Sequence, residues 1–254
     1  MLPLNDAEQR AVRFYEGDVR GASDAFWGDA KAYVSLNALL FEGLRTERTR
    51  IAEGKRLNPA LLADIPALLN VYRNLFAAAR KGVAAEAALG YRVERADDFA
   101  VCRDAGMTLT FTSTSRSGFL PAYGDKRGIV LLTYHVPAGT PQIVFAEQLQ
   151  DYLKNAEDEL LLPPFLAMRL EKRRLTAADC RITDMEGAQP LAAYDLYLTG
   201  KMQAGAVASP DIPPCDAGIG VWNALNAGAE PDAADVSSFR EWKRLLSARL
   251  FCMM

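Results

Sequence analysis

An α+β fold is predicted by three features of this 254-residue chain. Apolar residues in the first third recur every three or four positions. After Gly90 the period shortens to about two. The short alternating segments that follow are separated by Gly and Pro turns, not by helical patterns, which argues against βαβ units and for helices padding an antiparallel or mixed sheet. With 50% hydrophobic and 24% charged residues, the chain is long and apolar enough to bury a sizeable core. Residues 1–200 read as one domain, helical over 1–85 and β-rich over 86–200. Residues 201–254 read as an Ala-, Gly- and Pro-rich segment with a C-terminal helix.

The helices come first. Asp6–Glu16 carries Ala7, Val12 and Tyr15 on one stripe, with Asp6 as N-cap and Gly17 just past the end. A turn-rich stretch leads to a second helix over Asp29–Phe41, where Tyr33, Leu36 and Leu40 share a face. The strongest pattern runs from Leu68 through Tyr72, Leu75, Phe76 and Ala79 to the stop Arg80-Lys81-Gly82. Pro66 is tolerated only in a first turn, so this helix starts near Asp64 and Leu61-Leu62 form a preceding short turn. The predicted strands are Tyr91–Arg95, Met107–Ser113, Ile129–Val136, Gln142–Phe145, Leu160–Leu162, Arg173–Thr183 and Tyr194–Leu198. A last helix spans Ser238–Phe251, opened by a Ser238-x-x-Glu241 capping box.

Several function classes are disfavoured. A net charge of −3 leaves no basic surplus for a nucleic-acid backbone, and no basic run marks a membrane surface. No stretch reaches the ~18 apolar residues of a spanning helix, and the N-terminus lacks a charged segment followed by an apolar one. The chain is therefore expected to be cytoplasmic as synthesised. Cys102, Cys180, Cys215 and Cys252 are scattered without a C-x-x-C pair and read as reduced, with no metal site. His135, the only histidine, sits in a dense apolar run and reads as a satisfied core residue. Trp27, Trp222 and Trp242 read as packing anchors. Neither a phosphate-cradling Gly-rich loop nor a dinucleotide fingerprint is present.

Three polar constellations stand on successive strand regions. Arg92 shares a face with Glu94. Ser113 continues the face of Met107, Leu109 and Phe111 into Ser113-Thr114-Ser115. Glu157 and Glu159 lie two apart, so strand alternation would point both carboxylates the same way as the chain enters Leu160-Leu161-Leu162-Pro163-Pro164. Each alone is ordinary: a solvated edge arginine, hydroxyls that satisfy a strand end, an exposed acidic pair.

Taken in order, Tyr91-Arg92, Phe111-Thr112-Ser113-Thr114-Ser115 and Glu157-x-Glu159 running into Pro163-Pro164 resemble the Arg, Ser-Thr-Ser, Glu-x-Glu signature of the arginine-specific, toxin-like mono-ADP-ribosyltransferases. The helical segments around Tyr15 and Tyr33-Val34-Ser35-Leu36-Asn37 are also similar to that family, so the resemblance covers roughly residues 6–200. Val93 stands where many members have Gly, which leaves Arg95 as the alternative to Arg92. The resemblance implies N-terminal helices packed on a split, mainly antiparallel sheet.

It also implies a chemistry: ADP-ribose moves from NAD, the substrate, to an arginine of a target protein, and nicotinamide leaves through an oxocarbenium-like state. Glu159 would stabilise the developing positive charge and hold the ribose 2′-hydroxyl. Ser113 would orient that carboxylate or the ribose, with Thr114 and Ser115 beside it, and Arg92 would neutralise cofactor phosphate. Glu157 would meet the incoming guanidinium. Phe119 in the loop 116–128 would stack over the cofactor, and Tyr152 in the loop 146–156 would contact the acceptor. By the same resemblance, export into a target cell without a classical signal peptide and a neutralising partner are compatible with the chain. Two alternatives stay open: an NAD glycohydrolase or a transferase to a non-arginine acceptor, and a degenerate module that binds NAD or a partner without turnover.

Overall fold

Helices α1 (Asp6–Tyr15), α2 (Ala32–Ala38), α3 (Arg45–Ala52), α4 (Ala60–Ala63) and α5 (Ile65–Lys81) precede strand β1 (Ala88–Arg95). Then come α6 (Ala96–Ala105), β2 (Thr112–Ser115), β3 (Ile129–Val136), β4 (Ile143–Val144) and α7 (Phe145–Gln148). The chain continues through β5 (Glu159–Leu162), β6 (Leu166–Arg173), β7 (Ala192–Lys201), α8 (Asp216–Asn226) and α9 (Ala233–Met253). The structure is a computed structural model that describes residues 2–18, 24–116, 128–149, 158–176, 190–201 and 210–253. It is α+β, as the change of period predicts. The chain divides into two compact units, residues 5–78 with 204–254, and residues 1–4 with 79–203.

In the first unit the helices follow their local signals. The N-cap of α1 is Asn5, not the expected Asp6: its side chain accepts from the Glu8 amide, and the Glu8 carboxylate accepts from the Asn5 amide. This is the reciprocal capping box. Asp64 accepts from the Ala67 amide at 2.9 Å, which starts α5 where Pro66 fits, and Leu61-Leu62 lie in the short α4 before it. The helix expected over Asp29–Phe41 is confined to Ala32–Ala38. Helix α9 begins at Ala233, ahead of the expected Ser238, because the Asp232 side chain accepts from the amides of Ala234 and Asp235. Helix α3 carries no apolar stripe, burying only Thr46 and Glu47, and lies outside the helices the sequence predicts; so does α8, although Gly218, Val221, Trp222 and Leu225 form a buried stripe along it.

The core of this unit contains a buried ion pair. Lys243 on α9 and Glu47 on α3 are 1% and 0% exposed and in direct hydrogen-bonded contact. The remaining ammonium hydrogens go to the carbonyls of Ala38 and Gly43, each at 3.0 Å. Burial pushes the Glu47 carboxyl above and the Lys243 ammonium below their ordinary ranges, opposed in each case by the charge of the partner. Trp222 is fully buried against Phe239, and Trp242 donates its indole N–H to the Pro213 carbonyl at 2.8 Å. Both are packing anchors, as expected.

The second unit is built on one sheet of seven strands in the order β4-β5-β2-β1-β3-β7-β6. Every pairing is antiparallel except β3 with β7. β1 and β3 pair along their whole length, from Ala88 opposite Val136 to Arg95 opposite Ile129. β2 and β5 pair from Thr112 opposite Leu162 to Ser115 opposite Glu159. Between these halves the register holds only Tyr91 opposite Ser115. The halves approach closely there because Gly90 has no side chain: a Cβ would stand 2.5 Å from the Thr114 hydroxyl and 2.9 Å from its Cβ.

Several strand boundaries differ from expectation. Residues 107–111 do not extend β2; Met107 makes a single bridge to Ala167. Thr108 is occupied elsewhere, its hydroxyl donating to the Pro163 carbonyl and accepting from the Leu166 amide, which locks the corner where Phe165 adopts φ +66°. The strand expected over Arg173–Thr183 lies before Arg173, over Leu166–Arg173, and residues 177–183 fall outside the described set. The strand expected over Gln142–Phe145 shrinks to Ile143–Val144, because Phe145 opens α7. Helix α6 was not expected, although Asp97 and Asp98 in its first turn and Gly106 at φ +65° past its end are ordinary boundary signals. His135 is not a core residue: its side chain is 36% exposed on the sheet surface, stacked on Tyr197 at 4.3 Å and 3.5 Å from Asp195. The other residues of β3 are buried, so the dense apolar run is real, but His135 lies next to last in the strand, opposite the part-exposed Tyr197 of β7.

Candidate active site

The three polar constellations meet at the junction of the two half-sheets. Arg92 on β1 spans the junction: its Nη1 donates to the Ser113 carbonyl of β2 at 2.8 Å. Backbone pairing between these strands is confined to one register position, so the guanidinium supplies a hydrogen bond the ladder does not. The other edge of the fork is held by Glu94, which accepts from Nε at 2.8 Å and Nη2 at 2.6 Å through one oxygen. Arg92 and Glu94 thus share a face, as alternation requires, and the side chains are about one-fifth exposed.

Ser113 is next. Its hydroxyl donates to the Glu159 carboxylate on β5. Register explains the contact: Glu159 is opposite Ser115, so Ser113 is its diagonal neighbour on the same face of the antiparallel pair. Glu159 is only 9% exposed, and enclosing a carboxylate is costly unless donors are aimed at it. A chain of contacts therefore runs from Glu94 through Arg92 and the Ser113 peptide and hydroxyl to the Glu159 carboxylate.

Of the other predicted residues, Ser115 is buried in register with Glu159. Thr114 faces the opposite side of β2, 2% exposed, and its hydroxyl donates to the Leu160 carbonyl at 3.1 Å, which ties β2 to β5. The structure does not bring it to the Ser113–Glu159 cluster. Phe119, Tyr152 and Glu157 lie outside the described residues. β5 begins at Glu159, and Asp158 before it has φ +42° in the left-handed region.

Three residues to which the sequence assigned no role join this region. Arg116, the residue after Ser115, donates through Nε at 3.0 Å and Nη2 at 2.6 Å to Asp158, and through Nη1 at 3.0 Å to Glu147 on α7. Arg116 directly follows the Ser-Thr-Ser triplet and Asp158 is the central residue of Glu-x-Glu. Only the register of β2 on β5 reveals that they are neighbours. Among the described residues no group of His, Cys, Asp and Glu could hold a metal ion, and no helix is long and apolar enough to cross a membrane.

No family model and no curated protein matches the chain. Among solved structures it is similar to the ADP-ribosylating toxin BECa of a binary enterotoxin of C. perfringens, crystallised with NADH, at 16% identity and a TM-score of 0.47 over 77% of this chain and 44% of that one. It is similar to the enzymatic component C2-I of the C2 toxin from Clostridium botulinum at 11% identity and a TM-score of 0.48, over 80% of this chain and 45% of that one. The Clostridium limosum C3 exoenzyme is similar at 12% identity and a TM-score of 0.43, over 77% of this chain and 86% of that one. The chain spans less than half the length of the first two proteins.

Proposed function

We propose that this chain is a mono-ADP-ribosyltransferase that moves ADP-ribose from NAD to an arginine of a target protein. The observation that carries the reading is the hydrogen bond from Ser113 to the nearly buried Glu159 carboxylate, with Arg92 fixing the Ser113 peptide from the neighbouring strand. Arg92, Ser113 and Glu159, 21 and 46 positions apart in sequence, are joined by hydrogen bonds, which supports a shared site.

The chemistry follows from that arrangement. Breaking the bond between nicotinamide and ribose develops positive charge on the sugar. An ionised carboxylate already oriented by a fixed donor stabilises that charge without reorganising, and its enclosure strengthens the interaction. Glu159 supplies the carboxylate and accepts from the ribose 2′-hydroxyl; Ser113 holds it in place. Arg92 is used on both edges by Ser113 and Glu94, so its contribution to NAD passes through the orientation of Ser113 as well as through its charge. Glu157 supports arginine as the acceptor, because a second carboxylate can pair with a guanidinium and aid its attack. Phe119 and Tyr152 complete the reading as a cofactor-stacking and an acceptor-contacting aromatic.

The test is nicotinamide release from NAD, with and without agmatine or an arginine-rich protein, for wild type, Glu159→Gln and Glu157→Gln. Acceptor-stimulated release that is lost in both variants supports arginine transfer. Release indifferent to acceptor and lost only in Glu159→Gln refutes the transferase in favour of an NAD glycohydrolase. No release by folded wild type with any acceptor, together with no NAD binding by titration, refutes the NAD chemistry altogether.

A further inference from the structure

We propose that Arg116 and Asp158 are positioning residues that set the direction of the Glu159 carboxylate, an inference that rests on the catalytic reading of Glu159 given above. The last register pair of β2 with β5 is Ser115 opposite Glu159. One step further the Arg116 amide still donates to the Asp158 carbonyl at 3.0 Å, so the two chains stay joined past the end of the ladder. At that step the backbone leaves strand geometry, because Asp158 has φ +42°. Aspartate is among the few residues with a side chain that tolerate this region, and such a conformation persists where its surroundings hold it.

The holding contact is the Arg116 fork. Two of its donors close on one Asp158 oxygen at 3.0 and 2.6 Å, and a third reaches Glu147 at 3.0 Å. One guanidinium therefore pins three segments: the end of β2, the peptide before Glu159, and α7. The Arg116 side chain is 30% exposed, so the ion pairs are partly screened and contribute little to global stability. Their effect is local. The peptide between Asp158 and Glu159 fixes the Cα–Cβ direction of Glu159, and a shift of that peptide moves the carboxylate away from the Ser113 hydroxyl and from the ribose carbon it must face. Misplacement of a catalytic group by about 1 Å costs on the order of 100-fold in rate.

Steady-state nicotinamide release and amide hydrogen exchange are measured for wild type, Arg116→Met, Asp158→Gly and the double variant. The expected result is a fall in kcat of roughly 10- to 100-fold in each single variant. The KM for NAD stays within about twofold, since no binding contact is removed. The double variant is no worse than the more affected single one, because both remove the same Arg116–Asp158 contact. Asp158→Gly is the decisive variant: glycine adopts φ +42° without strain, so relief of backbone strain alone would leave kcat unchanged, and that result overturns the proposal. Wild-type kcat in Arg116→Met overturns it equally.

Exchange separates the failure of this proposal from failure of the catalytic reading. With the clamp, the Arg116 amide exchanges at least tenfold faster in Asp158→Gly while the amides of β3 are unchanged. Unchanged exchange at Arg116 in that variant refutes the clamp whatever the enzyme turns over. Faster exchange with no NAD turnover by wild type supports the clamp as a structural device and refutes its catalytic purpose.

Discussion

Replacing Ser113 by alanine removes one oxygen from a face where Glu159 is only 9% exposed. The hydroxyl donates directly to the Glu159 carboxylate, so the variant takes a charge-assisted hydrogen bond from an enclosed anion. Such bonds contribute about 1.5–3 kcal/mol. At about 1.4 kcal/mol per factor of ten, the loss corresponds to roughly 10- to 150-fold in rate if the carboxylate acts in the transition state. The effect falls mainly on kcat, because charge on the ribose develops only as nicotinamide leaves. The assay is steady-state nicotinamide release, with circular dichroism to verify folding. Ser113→Thr keeps the hydroxyl and suits a strand, so it retains more activity than Ser113→Ala. A kcat for Ser113→Ala within twofold of wild type, alongside an inactive Glu159→Gln, would refute the view that the serine orients the carboxylate.

Two further outcomes follow from burial. Lys243→Met leaves Glu47 enclosed without its cation and is expected to destabilise by about 3–5 kcal/mol, whereas the double variant Lys243→Met/Glu47→Leu recovers most of the loss; urea unfolding followed by tryptophan fluorescence measures both, and an additive double variant would contradict the pairing. Burial also pushes the Cys215 thiol up from 9.0 to about 11. Because the folded value is the higher one, this contribution to stability is complete below pH 9 and is lost as pH rises through about 11. The unfolding free energy of wild type therefore falls more steeply over pH 9–11 than that of Cys215→Ala, and parallel curves would show that the thiol is not held neutral by the fold.

Local signals in the sequence determine a good part of this protein. The period of Leu68, Tyr72, Leu75, Phe76 and Ala79, with Asp64 and Pro66 at one end and Arg80-Lys81-Gly82 at the other, specifies α5, because spacing, capping and termination act within a few residues of chain. The same holds for β1 and β3, and for the order of the Arg92, Ser113 and Glu159 motifs. Helix α8 has a buried stripe of Gly218, Val221, Trp222 and Leu225, but it lies in a segment rich in Ala, Gly, Pro and Asp that reads as irregular, and the apolar alternation of residues 107–111 promises a strand, whereas the Thr108 backbone pairs with Phe165 and Leu166 and only Thr112–Ser115 pair with β5.

Tertiary pairing decided the rest. The register of β2 on β5 places Ser113 diagonal to Glu159 and Arg116 beside Asp158, partners more than 40 positions apart that no local pattern links. The narrow junction of the half-sheets turns Arg92 from a solvated strand residue into a bridge to the Ser113 carbonyl. Side-chain period fixes which face a residue takes along its own strand. Which residue it then meets depends on a second strand, whose alignment is set by the packing of the whole sheet.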